Sequence, residues 1–166
     1  MFVARSTPFD VHQDQLLLYD KAVRSCFEQF TQLCPDDTQW LQATLATKKG
    51  GLGLRSVKTH SSAAYLSSRS GCFRLCKQLD PDHIWEGDDP SSSLHKAVLE
   101  VNRLAGSEVV PPDRVPPDLK QSVLSAHVDD GTLAHLTSPE FSLDRRAHMK
   151  LMQNEGAGAW INAFPN

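Results

Sequence analysis

The chain has 166 residues, 40% of them hydrophobic and 22% charged, and a net charge of −3. That length suits one domain, or one domain with a loose tail, and the hydrophobic share is low enough to predict some unpacked segments. No run reaches the roughly 18 apolar residues that a membrane span needs, and Met1-Phe2-Val3-Ala4-Arg5 lacks the apolar core of a signal peptide. An intracellular protein is expected, with nucleus and cytoplasm not distinguished.

In chain order, Leu16, Tyr19, Val23, Cys26, Phe30 and Leu33 recur at helical spacing. They predict a helix over about 13–33, with Ala22 and Phe27 widening the stripe into a core-facing side. Cys34-Pro35 ends it, since the residue before proline leaves the α region. Asp36 and Gln39 have capping-box spacing and start a second helix. Trp40, Leu41, Ala43 and Leu45 give it an apolar side. Lys48 and Lys49 fall in its last turn and Gly50-Gly51 stop it. Leu52 and Leu54 are expected to plug the glycine loop into the core.

Ser56 is placed to cap a third helix over 57–79, whose middle is rich in small residues: Ser61, Ser62, Ala63, Ala64, Ser67, Ser68 and Gly71. Small side chains predict close approach of a neighbouring helix. After an acidic loop over 80–93, Leu94, Val98, Val101 and Leu104 predict a fourth helix. Residues 106–117 hold four prolines and read as a linker or extended strap. A fifth helix begins near Asp118, and the second half of 137–154 predicts another. No strand period stands out. The fold class expected is all-α: an irregular bundle of about five to six helices with a looser, proline-containing C-terminal half. The segments are 1–80, a helical domain with the basic stretch; 81–117, loop, short helix and linker; and 118–166, a C-terminal helical segment.

Charge is unevenly spread. Residues 38–79 carry seven basic side chains, Lys48, Lys49, Arg55, Lys58, Arg69, Arg74 and Lys77, and no Asp or Glu. The stretch is +7 and the remainder −10, which together give −3. Such asymmetry points to polyanion contact, where Lys and Arg displace counterions from a phosphate backbone. The alternative is a solvated face neutralised by the acidic remainder.

Other motifs point away from chemistry. The glycine block has neither the G-x-x-x-x-G-K-[ST] nor the G-x-G-x-x-G pattern, so it reads as a turn between helices. Asp129-Asp130-Gly131 reads as a helix end in a turn, because two-metal chemistry needs carboxylates converging from several places. The seven histidines form no H-E-x-x-H pattern. Cys26, Cys34, Cys72 and Cys76 read as reduced, buried structural thiols, with Cys72 and Cys76 on one helix face. No catalytic residue, metal ligand or cofactor is assigned.

The order Trp40-Leu41-Gln42-Ala43-Thr44-Leu45, Gly50-Gly51-Leu52-Gly53-Leu54-Arg55-Ser56, His60-Ser61 and Ala63-Ala64-Tyr65-Leu66 resembles the region that follows the catalytic domain in reverse transcriptases of non-LTR retrotransposons. Arg5-Ser6-Thr7-Pro8, Tyr19-Asp20 and Val23-Arg24 are similar to that family's lead-in. Gly156-Ala157-Gly158-Ala159-Trp160-Ile161 and Pro165 are similar to a downstream A-x-x-W-L…P element. The likeness spans most of the chain in three blocks. It implies a thumb and post-thumb piece, beside the template–primer duplex in such polymerases, which would account for the basic stretch. The family's Tyr-x-Asp-Asp hairpin lies upstream of the glycine block. Asp129-Asp130 lie downstream and lack the tyrosine, so the resemblance implies no polymerase activity here. The expected function is a non-catalytic, reverse-transcriptase-like fragment binding RNA or DNA through the seven cations. The alternatives are a helical module with a protein partner on an exposed apolar face, or a relic without selected function. No membrane partner is expected.

Overall fold

The computed structural model describes residues 2–116, 119–154 and 156–157. Among them the structure is all-helical: α1 (Phe2–Ser6), α2 (Gln13–Thr31), α3 (Asp37–Thr44), α4 (Val57–Leu79), α5 (Ser93–Ala105), α6 (Gln121–Leu136) and α7 (Leu143–Leu151), with a 3-10 turn at Thr47–Lys49. The chain forms two compact units. One takes Met1–Asp20 and Val57–Val128, the other Lys21–Ser56 and Asp129–Asn166.

The first unit is built on α4. Its residues His60, Ser61, Ser62, Ala63, Ala64, Tyr65 and Leu66 are all buried. A helix covered on one face buries every third or fourth residue, so a consecutive buried run means cover on every side. The small side chains of Ser61, Ser62, Ala63 and Ala64 allow it. The core joins Ala63, Tyr65 and Leu66 to Leu94, Ala97, Val98 and Val101 of α5, with Val110 and Leu124. Ser92 caps α5 and Gly106, left-handed at φ 71°, ends it.

The proline segment is a packed strap. Asn102 Oδ1 accepts from the Val109 and Val110 amides and its Nδ2 donates to the Val110 carbonyl, which seats Val110 in the core. Ser67 and Ser70 of α4 donate to the carbonyls of Leu119 and Pro116. The small serines therefore serve close approach of backbone as well as of helices. The amides of Val57 and Lys58, at the start of α4, donate to the Asp20 carboxylate at 2.8 and 3.2 Å. This carboxylate, 37 residues away in sequence, carries no local signal.

In the second unit Asp36 and Gln39 form the predicted capping box on α3. The helix then stops short of Lys48. Leu45 is extended, at φ −63° and ψ 154°, and its side chain is buried with Leu136 and Met149. Turning Leu45 inward breaks the helix, so Lys48 and Lys49 lie in the 3-10 turn and not in a last α-turn. The glycine loop folds back over α3: the Gly51, Leu52 and Gly53 amides donate to the carbonyls of Ala46, Ala43 and Leu45. A Cβ at Gly51 would lie 2.1 Å from the Leu45 carbonyl oxygen, which only glycine tolerates. Leu52 and Leu54 stay half-buried, and Leu45 is the plug.

Three further expectations are corrected. No residue of α2 is buried: Phe30 is 91% exposed, and Tyr19 and Cys26 are also exposed, as is Leu33 beyond the helix end at Thr31. Of the expected stripe, Leu16, Val23 and Phe27 are half-buried, with Phe27 against Trp40 at 5.6 Å. The thiols are not buried: Cys26, Cys34 and Cys72 are exposed and Cys76 half-buried, because α2 faces outward at Cys26, Cys34 lies in the linker between α2 and α3, and α4 projects beyond its covered middle. Asp129-Asp130-Gly131 do not end a helix; α6 runs through them to Leu136. The short α1, too brief to show a period, was not foreseen. The residues Gly158 to Pro165 of the third resemblance block lie outside the described residues.

Candidate nucleic-acid interface

The seven predicted cations fall in both units and in different environments. In the second unit Lys48 is exposed on the 3-10 turn. Lys49 is not: its side chain is 12% exposed and its Nζ lies 2.5 Å from Asp130. Arg55 places Nη2 2.8 Å from Asp129, a carboxylate only 3% exposed. The aspartate pair is thus spent on these two cations. Pairing explains why α6 tolerates two adjacent carboxylates in its middle. A buried carboxylate without its partner costs about 1–3 kcal/mol or more, so the Arg55–Asp129 pair is structural and Arg55 is held for that purpose.

In the first unit the cations lie on α4. Lys58 is exposed near its start and lines a cleft of about 160 Å³ with Gln13, Thr59 and Arg103. Arg103 is already bidentate to Glu100, at 2.7 and 2.8 Å. Arg69 is half-buried, one turn beyond Tyr65. Arg74 and Lys77 are exposed on the projecting end of α4, and Lys77 donates to the His83 carbonyl at 3.0 Å. Three residues apart on a helix, Arg74 and Lys77 are surface neighbours. Among the described residues no carboxylate forms an ion pair with Lys58, Arg69, Arg74 or Lys77.

Sequence reading missed the surroundings of that helix end. Phe73 packs on the His83 ring at 5.4 Å and meets Trp85 edge-on at 5.9 Å. The signal was available as two aromatics bracketing a loop, but a loop has no period to read. Back in the buried middle of α4, burial pushes the Tyr65 hydroxyl above its usual pKa of 10.0, against the opposing charge of Arg69.

Among the described residues no three His, Cys, Asp or Glu side chains are grouped to hold a metal. No helix among them is long and apolar enough to cross a membrane. No family model, curated protein or solved structure matches the chain.

Proposed function

We propose that the chain is a non-catalytic helical piece of reverse-transcriptase type that contacts nucleic acid without sequence preference through the cations of α4. The observation that carries this reading is electrostatic. The 23 residues of α4 contain no acid, and Lys58, Arg69, Arg74 and Lys77 have no ion-pair partner among the described residues. Cations left in this state exchange counterions for phosphates. Lys48 adds an exposed charge in the second unit; Lys49 and Arg55 serve its internal structure.

The non-catalytic part of the reading is supported by the aspartate pair. Asp129 and Asp130 face Arg55 and Lys49, and a divalent metal would have to displace both. The retrotransposon part is supported by the Trp40–Tyr65 blocks of sequence. The test is titration of the full chain with oligonucleotides of unrelated sequence at several salt concentrations. Equal affinities that fall linearly in log–log form with salt are expected; no binding at low salt, or a flat slope, overturns the reading.

A second reading, a protein-docking face, is favoured by α2. Ala22, Cys26 and Phe30 are exposed along one side, and such apolar exposure marks interaction surfaces. Phe30→Ser should then lower binding of an apolar dye; an unchanged signal removes this reading.

A further inference from the structure

The form of nucleic acid that suits α4 follows from what surrounds Arg74 and Lys77, and this step rests on the reading above. The two cations stand on the part of α4 that projects beyond its buried middle. Lys77 spends one of its three protons on the His83 carbonyl, tying the following turn to the helix. Phe73, His83 and Trp85 form a half-buried aromatic cluster against that turn. Leu75, Leu79 and Ile84 are exposed there by 61%, 88% and 65%. The same turn carries Asp80 and Asp82, both exposed.

A duplex presents phosphates from two strands and hides the faces of its bases. Set against this end of α4, it would satisfy the cations and leave the apolar and aromatic side chains unused, while a single strand can use both. Such a strand can turn its phosphates to Arg74 and Lys77 and stack an unpaired base on the His83 ring, cations beside an aromatic face being what sequence-tolerant single-strand binders use, with Leu79 and Ile84 adding apolar contact.

We propose that the projecting end of α4, with the turn that follows it, is a binding surface for single-stranded RNA or DNA. Its contacts are Arg74 and Lys77 for phosphates and Leu79, Ile84 and the His83 ring for bases. The test is fluorescence anisotropy of the full chain with a labelled strand of about twelve nucleotides, alone and annealed to its complement. The single strand should bind about tenfold tighter or more. Leu79→Ser and Ile84→Ser, at exposed positions where folding is little affected, should weaken the single strand about fivefold each and leave the duplex unchanged. Equal affinity for both forms, with Arg74→Gln weakening both, overturns the single-strand inference and leaves the polyanion reading standing. Absence of binding to either form at low salt overturns both.

Discussion

The two longest helices invert what their sequences advertise. α2 has the stronger apolar stripe and buries none of its residues; α4 has a middle rich in serine and alanine, with His60, Tyr65 and Leu66, and is covered on every side there. An apolar stripe states that a face would gain from cover, and says nothing of what supplies it. Small residues state that something comes close, and in α4 both helices and the strap do. Leu66 and Val98 then complete a core that small residues alone could not.

The contrast is most sharply broken or upheld by stability. Leu66→Ala, at a fully buried position, should cost about 2–5 kcal/mol in denaturant unfolding, while Phe30→Ala should change it by less than about 0.5 kcal/mol. A comparable loss at Phe30 would mean that α2 is covered after all.

The aspartate pair provides a smaller contrast within one helix. Asp129→Asn removes the partner of Arg55 at a buried site and should cost about 1–3 kcal/mol. Asp130 is 59% exposed, and the pairing it lends Lys49 should be worth at most about 1 kcal/mol. Equal costs would contradict the division between a buried staple and a surface pair.

The smallest effect is a titration. The two tyrosines sit on the two helices, Tyr19 exposed on α2 and Tyr65 buried on α4. In Tyr19→Phe, ultraviolet titration reads Tyr65 alone, and its midpoint should lie above 10.0 in the folded chain and return toward it in denaturant. The sign follows from linkage: a raised folded pKa favours the neutral folded form, so this stabilisation is present below pH 10.0 and is lost as the unfolded tyrosine ionises above it.

Much of the helical order was legible. The Asp36–Gln39 box and the spacing of Leu94, Val98 and Val101 act within one or two turns, and the structure starts α3 and places α5 where they predict, whereas α2 ends at Thr31, with Gln32 left-handed at φ 59°, before Cys34-Pro35 is reached. What was not legible depends on partners distant in sequence. Asp20 caps a helix 37 residues on; Asp129 claims Arg55 from 74 residues away. For the same reason the seven-cation stretch was readable as a charge imbalance and not as a surface. Which cations remain available depends on acids that the stretch itself lacks.

The central claim is that binding draws on the available α4 cations and not on the paired ones. It is tested most directly by the salt dependence of nucleic-acid binding to the wild-type chain and to Arg74→Gln/Lys77→Gln. Removing two phosphate contacts should reduce the log–log slope by about 1.5, at roughly 0.7–0.9 per contact, with the thermal midpoint unchanged. An unaltered slope in a folded double variant would contradict the account.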